Sequence, residues 1–474
     1  MTTSGDLRDV RRQMLAQLGE QESLGIQDVG QPVIDRWPPG AKSSYAQSLP
    51  DPIAYFKPTR IDSLQQILAY CSANDLAVVP VGGASNVVGA LLTSKPAVYV
   101  AVLGLNRIHS IDEVNCLVHC EAGIIGADLE ASLEKKGLTL GHYPQSLHLS
   151  TIGGWIATRA MGTFSGRYGG IEDSVLAVKV VLADGSIVET QAAPRVIGPT
   201  LAHMFIGAEG TFGVVAEVTL RVYRRPAATK IGAWLLPDLR RGLATVREVV
   251  HQDLHPALMR LYDRQNGSSL TVDGHLNSDE AVPILIALSG AETVVAAQFD
   301  AVGSLIAGAG GQPAHELAAK WFDTRYRMPS FLARGTEQGF IGDAIDVVVW
   351  WSQVESAYHT IRQVILDAGA SSCQAHFSHF YGQGVSIYFV LQVEVDDDLE
   401  ALRRHARIWK AVMTECQQQG LGIAHHHGIG LARAYWYSAT SSSSNVLLER
   451  LRNAMDPRRI LNPDRFSPGK SPFG

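Results

Sequence analysis

The sequence predicts an α+β protein. An N-terminal extension (1–46) is followed by an α/β unit (47–226), a sheet-containing cap (227–440) and a C-terminal segment (441–474). Three observations carry this reading. The chain has 474 residues, too many for one compact core. Its first half alternates short β-rich runs with helical periodicity, punctuated by glycine clusters. Its second half sets long strands beside long helices, as in a sheet covered on one side.

The elements follow in order. A polar helix opens the chain and gives way to the loop WPPGAKSS. Asp62-Ser63 can cap a helix whose apolar face is Leu64, Ile67, Leu68 and Cys71. LAVVP (76–80) is a short buried strand, and AVYVAVLGL (97–105) and CLVHCEAG (116–123) also read as strands. LEASLEKKG (129–137) is a helix ending at glycine. Two β-rich runs flank Asp184-Gly185, a hairpin signal. FGVVAEVTLRVYRRP (212–226) is a strand region stopped by Pro226. In the cap, PILIALSG (283–290) and VSIYFVLQVEV (385–395) are strands, and helices fall near 294–309, 353–368 and 397–419. A helical piece and the proline-bounded MDPRRILNPDRF close the chain.

Composition narrows the class. With 46% hydrophobic and 18% charged residues, the chain can bury a core. A net charge of −6 argues against a nucleic-acid binder. Cys71, Cys116, Cys120, Cys373 and Cys416 are scattered and odd in number, which fits neither a disulfide framework nor a zinc motif. The polar start MTTSGDLRDVRRQ is no signal peptide, no run approaches 18 apolar residues, and the ending KSPFG is no peroxisomal address. The expectation is a cytoplasmic protein without a transmembrane segment.

Three segments carry the binding chemistry. PVGGASNVVGA (80–90) follows a buried strand, so its backbone N–H groups can form an anion nest, with Ser85 and Asn86 as polar partners. A ligand-free glycine turn is the alternative. The stretch 144–185 crowds Ser146, Ser150, Thr151, Gly153, Gly154 and Gly162 together, as a bulky cofactor lying on the backbone requires. An irregular surface loop is the alternative, although unstructured loops longer than about 15 residues are uncommon. FIGAEGTFGVVAEVTL (205–220) is a third glycine-spaced turn.

In this order the segments resemble the FAD-binding domain of the vanillyl-alcohol oxidase / p-cresol methylhydroxylase superfamily, over roughly residues 47–225. The resemblance implies a two-subdomain FAD-binding PCMH-type domain, an α/β cap with an antiparallel sheet, and a C-terminal tail returning to the FAD domain. It implies cofactor contacts at Pro80, Gly82, Gly83, Ala84, Ser85, Asn86 and Gly89. Further contacts are implied at Pro144, Ser146, Ser150, Thr151, Gly153, Gly154, Thr158 and Gly162, and at Glu209, Gly210, Gly213 and Val214. Some members attach FAD through a histidine in the first loop. Ala84 and Ser85 stand there, so the expectation is non-covalent FAD. No G-x-G-x-x-G turn opens a helix with an acidic residue about 20 positions on, which disfavours a Rossmann fold.

The second half adds AHHHGIGLARAYW (424–436) and HFSHF (376–380). From residues alone, these histidines read as a metal site, a proton-transfer site or a packed strand. Carboxylate partners at helical spacing are missing, so we assign no metal. On a strand, His425 and His427 would share a face, leaving one of the three histidines structural. HHHGIG, with PALMRLYD (256–263), SIYF (386–389) and MDPRRILNP (455–463), resembles the alkyldihydroxyacetonephosphate synthase branch; related hydroxy-acid dehydrogenases read GEHGIG there. The resemblance implies that Tyr388 transfers protons, that His426 and His427 assist, and that Arg260 binds substrate or its phosphate. It points less directly to Arg334 or Arg327, His425 and Arg433 as substrate contacts. Read blandly, Tyr388 is a core residue and Arg260 an ion-pair partner. Leu431 replaces the lysine common in synthases, which leaves the substrate open.

The implied activity is flavin N5 chemistry at an oxygen-bearing carbon of a small or lipid-like substrate. A tyrosine with an ordinary pKa of about 10 needs neighbouring cations to act as a base, expected here from His426, His427 and Arg260. The alternative is an FAD-dependent D-2-hydroxy acid or alcohol dehydrogenase or oxidase that needs an electron acceptor. A non-catalytic flavin binder is opposed by Tyr388, His426 and His427. The oligomeric state, a homodimer included, stays open.

Overall fold

The computed structural model describes residues 4–18, 26–27, 35–37, 49–268, 281–326, 340–394, 397–440 and 442–466. Arg327, Arg334 and most of WPPGAKSS lie outside the described residues.

The first sheet contains β1 (Ile26–Gln27), β2 (Ala54–Phe56), β3 (Ala77–Val81) and β4 (Ala97–Ala101), in the order β1-β2-β4-β3. β4 runs parallel to both β2 and β3. Central parallel strands are covered on both faces, which is why AVYVA and LAVVP read as apolar runs without alternation. The crossover helix Ile61–Ala73 buries Leu64, Ile67, Leu68 and Cys71. Its N-cap is Arg60 rather than Asp62. Asp62 lies in the first turn, held by the Arg60 guanidinium at 2.6 Å, where a carboxylate favours the positive end of the helix dipole. The expected strand at 97–105 stops at Ala101 and turns into a short 3₁₀ segment.

The second sheet is antiparallel, ordered β5-β6-β10-β8-β9. Its strands are β5 (Ile108–Asp112), β6 (Leu117–Glu121), β8 (Val175–Val181), β9 (Ile187–Glu189) and β10 (Val214–Arg221). Asp184-Gly185 makes the β8–β9 turn, with Gly185 at φ +82°. β7 (Leu138–Thr139) pairs with β11 (Tyr223–Arg224).

The cap is one antiparallel sheet in the order β15-β12-β14-β13-β17-β18-β16. Its strands are β12 (Ala228–Leu236), β13 (Leu258–Tyr262), β14 (Val282–Gly290), β15 (Gln312–Pro313), β16 (Phe340–Trp350), β17 (Ser372–Phe380) and β18 (Gly384–Glu394). The period-two alternation of strands divides its residues cleanly. Val385, Ile387, Phe389, Leu391, Ile345, Val347, Cys373, Ala375 and Phe377 join the main core, packed with the helices Val354–Asp367 and Asp398–Gln419. The intervening residues Ser386, Tyr388, His376, Ser378, Asp346 and Arg260 face the other way. That single alternation places the chemistry.

The C-terminal tail returns to the first sheet. The Val78 N–H donates to the Ile460 carbonyl, and the Asn462 N–H donates to the Val78 carbonyl, each at 2.8 Å. Arg465, fully buried, donates to the carbonyls of Gly89 and Leu92.

Candidate functional site

A cavity of about 1010 Å³ lies between the glycine-rich segments and the polar face of the cap sheet. Pro80, Gly82, Gly83, Ala84, Ser85 and Asn86 line it, as do Pro144, Ser146, Ser150, Thr151, Gly153, Gly154, Thr158 and Gly162. Glu209, Gly210, Gly213 and Val214 complete that half. Gly83 shows why glycine is needed: a Cβ there would lie 1.8 Å from the Leu149 carbonyl oxygen, so the two loops touch main chain to main chain. The stretch 144–170 is not an irregular loop. Thr151 caps the helix Ile152–Thr158 by accepting from the Gly154 N–H at 3.1 Å. Ser150 Oγ accepts from the Trp155 indole at 2.7 Å and donates to the Ser146 carbonyl, so these hydroxyls hold the cradle's shape.

Among the expected cofactor residues, Gly89 lies off the cavity wall, while Glu209 and Asn86 line it but have protein partners. Gly89 is absent from the cavity wall; a Cβ there would meet Trp37 and Leu431, and its carbonyl accepts from Arg465. The Glu209 carboxylate is occupied by the N–H groups of Ile429 and Gly430. The Asn86 amide donates to the His427 carbonyl at 2.7 Å, and its oxygen accepts from Val88. Glu209 and Asn86 thus tie the flavin-side loops to the histidine loop. No one-residue motif signals such a link, because its partners are 341 positions apart for Asn86.

The cradle fits a flavin dinucleotide by volume and by chemistry. Asn462 Oδ1 is buried on the cavity wall without a protein partner among the described residues, and buried polar atoms of that kind call for a ligand or water.

The other half of the wall comes from the cap. The polar row His376–Tyr388–Asp346 crosses β17, β18 and β16, each residue paired with the next in register. The rings of His376 and Tyr388 stack at 4.7 Å with 10° between planes. Arg260, on β13, donates to His376 Nε2 at 2.6 Å; this leaves the ring proton on Nδ1, which the Asn266 amide, 3.2 Å away, accepts only when it turns its oxygen to the ring. Arg260 also lies over Tyr262 and Trp321.

The three consecutive histidines do not form a strand. They sit in a bend ahead of the helix Gly430–Thr440. Asp346, wholly buried, organises that bend. It accepts from the N–H of His425 at 2.6 Å, from His427 Nδ1 at 2.8 Å and from Arg433 at 2.5 Å. A carboxylate only accepts, so His427 carries its proton on Nδ1. Burial alone would raise the Asp346 pKa, but the Arg433 and His427 charges outweigh it and hold the carboxyl well below its usual range.

Tyr388 Oη lies 2.8 Å from His426 Nδ1. His426 Nδ1 is 2.8 Å from His425 Nδ1, and His425 Nε2 is 2.6 Å from the Tyr381 hydroxyl at the cavity rim. The cluster joins Tyr388 to His426 and His425 to Tyr381, with Tyr388 and His425 competing for the single lone pair or proton of His426 Nδ1. Its electrostatics correct the expected cationic activation. Burial, and then Asp346, push the Tyr388 pKa well above its ordinary value, and Arg260 offsets this only in part. Burial, and then His427, hold His426 well below its ordinary pKa. At neutral pH the pair is a phenol beside a neutral imidazole.

Tyr388, His426, His427 and Arg260 all line the cavity. His425 and Arg433 do not; His425 is bonded to Tyr381, and Arg433, fully buried, is paired with Asp346. Leu431 packs in the core outside the cavity wall, so the missing lysine leaves no gap there. Among the described residues, ring nitrogens of His379, His425 and His426 lie within 4.8 Å of one another, and the His425 and His426 Nδ1 atoms are at hydrogen-bond distance, 2.8 Å. The sequence reading missed Asp346, Asn266, Trp321, Tyr381 and Asn462. Asp343 and Asp346 in FIGDAIDVVVW were the available signal: acids three apart in an apolar strand face opposite ways. Asp343 meets His405 and Trp409 on the helix side, and Asp346 meets the histidines.

No helix among the described residues is long and apolar enough to cross a membrane. Residues 52–191 match the model of an FAD binding domain, and residues 225–466 match that of the C-terminal domain of FAD linked oxidases. The uncharacterized FAD-linked oxidoreductase YgcU of Escherichia coli K12 is 30% identical, over 89% of this chain and 90% of its own. Alkyldihydroxyacetonephosphate synthase of Caenorhabditis elegans is 28% identical over 87% and 75%, and glycolate oxidase subunit GlcD of Bacillus subtilis 26% over 97% and 97%. Among solved structures, an alkyldihydroxyacetonephosphate synthase superposes with a TM-score of 0.79 at 20% identity, covering 96% of this chain and 86% of the other. p-Cresol methylhydroxylase with substrate bound gives 0.78 at 16% identity, covering 98% and 97%.

Proposed function

We propose, for a chain that belongs to the FAD-linked oxidases, in the alkyldihydroxyacetonephosphate synthase-like branch of the vanillyl-alcohol oxidase / p-cresol methylhydroxylase superfamily, that Tyr388 and His426 move the proton of the reaction. The chain is an FAD-dependent enzyme. The single observation carrying the reading is the 2.8 Å contact between Tyr388 Oη and His426 Nδ1 on the wall of a cavity bounded by the flavin-side loops.

A phenol with a raised pKa is a poor free base but a good relay. It accepts the substrate proton as it passes its own to the neutral imidazole of His426. Asp346 and Arg433 hold the loop, and Asp346 orients the His427 ring by accepting from its Nδ1–H. Arg260, positioned by its bond to His376, binds an oxygen-rich anionic group of the substrate. Pro80 to Asn86 and Ser150 to Gly154 hold the FAD. When bound, the flavin supplies the redox-active ring at which an oxygen-bearing carbon reacts.

The first reading is exchange of a group on a small or lipid-like substrate, as in the synthases whose HHHG loop this chain shares. The second is oxidation of a D-2-hydroxy acid or alcohol. It is favoured by the pairing of Arg433 with Asp346, which leaves that arginine unable to bind a phosphate. Anaerobic mixing with hydroxy acids separates them. Flavin bleaching followed by turnover with a dye acceptor supports the dehydrogenase and sinks the exchange. Conversion of an acyl ester and a long-chain alcohol to an alkyl ether, without bleaching, supports the synthase-like reading.

A further inference from the structure

Away from the cavity, the second sheet gathers His109, His119 and Glu217 from its neighbouring strands β5, β6 and β10. We propose that these three side chains form a binding site for one divalent transition-metal ion of the zinc type, with solvent completing the coordination. Nε2 of His109 lies 3.3 Å from one Glu217 oxygen, and Nε2 of His119 lies 3.3 Å from the other. Charge-assisted N–H···O bonds are shorter, about 2.7–2.9 Å. Two ligands of one tetrahedral zinc, with bonds of about 2.0–2.1 Å, stand roughly 3.3–3.4 Å apart. The three ligand atoms all lie within 4.8 Å of one another, and the imidazole centroids are 4.7 Å apart.

The framework is rigid. His119 pairs with Thr219 across β6 and β10, and Glu217 is buried in β10. The register shift between Ile108 and Ser110 lies at His109. Both histidines are part-exposed, so an ion can enter from solvent and keep a water ligand. Two imidazoles and one carboxylate select zinc, nickel, cobalt or copper over magnesium and calcium. In the metal-free protein Lys179 neutralises Glu217 at 2.7 Å. Glu189, 3.5 Å from the same ammonium, offers Lys179 a second carboxylate when the ion displaces it.

The test uses the FAD-loaded protein, stripped with EDTA and titrated with Co(II) while its visible d–d bands are followed. The expected result is one equivalent bound with tetrahedral-type bands, displaced by Zn(II). His109→Ala/His119→Ala should weaken binding by more than about 100-fold, beyond the loss seen when only outer-shell partners are removed. The milder His109→Gln should weaken it in the same direction, and an unchanged flavin spectrum certifies the fold of each variant. His379→Ala/His425→Ala should leave the cobalt affinity unchanged. Absence of any bound Co(II) in the wild type overturns the proposal. So does binding that survives His109→Ala/His119→Ala and disappears in His379→Ala/His425→Ala, which places the ion at the cavity instead.

Discussion

Asp346 stands directly opposite Tyr388 across the β16–β18 pair, both buried; burial and then the carboxylate keep the tyrosine a phenol, and the same carboxylate organises the histidine loop beside it. Arg433 makes that buried carboxylate tolerable. Asp346→Asn strands a buried guanidinium, and breaking one side of such a pair costs about 3–5 kcal/mol. We expect a loss of that size in denaturant unfolding, with much of it restored in Asp346→Asn/Arg433→Met. Equal stability of Asp346→Asn and the wild type would remove Asp346 as the organiser.

The same carboxylate sets a pH dependence. Its folded pKa lies well below the unfolded value of about 3.9, so its stabilisation is present above that pH and lost as pH falls toward the folded value. Histidine acts earlier. Burial lowers the His142 pKa to about 3, and burial lowers that of His425 to about 4. Below the unfolded value of about 6.5 the unfolded chain binds these protons and the native state does not, so stability falls with pH at up to about 1.4 kcal/mol per unit for each histidine. His142 stacks on Trp155, and its ring nitrogens have no partner among the described residues. His142→Phe should therefore flatten the slope between about pH 6 and 4 by one proton. An unchanged slope in chemical-denaturation series would place that titration elsewhere.

The flavin should be released by acid precipitation and appear in the supernatant, because Ala84 and Ser85 supply no histidine to bond it. Yellow colour retained on the denatured, washed protein would show a covalent link.

Arg260→Met should raise KM by about 10- to 100-fold while changing kcat less, the expected loss of a charged hydrogen bond used for binding. A loss confined to kcat would move Arg260 from substrate binding into the chemical step.

Much of this was legible in the sequence because it rests on local pattern. The glycine cradle and the cap helices follow from periodicity and from residues that must lie close to main chain. Tyr388 was reachable through the resemblance carried by SIYF and HHHG. What was not legible depends on register. Asp346 meets Tyr388 only because β16 pairs with β18 at that offset, and a slip of one residue would turn it into the helix layer. Asn86 and Glu209 line the cavity as the resemblance implies, but the links made by their side chains were not legible. Their bonds reach His427 and Gly430, far along the chain. The histidine run misled as a strand because its alternation is an accident of three identical residues. The carboxylate that bends it is not nearby in sequence.

The central claim is that Tyr388 and His426 act as one proton-transfer unit, and a double-mutant cycle on kcat tests it most directly. Using the substrate found in the anaerobic assay, Tyr388→Phe and His426→Asn should each lower kcat by about 10²–10⁴-fold with FAD still bound. The double variant should fall little further, because groups that act as a unit are lost together. Additive losses, or a Tyr388→Phe variant with full kcat, would contradict the account.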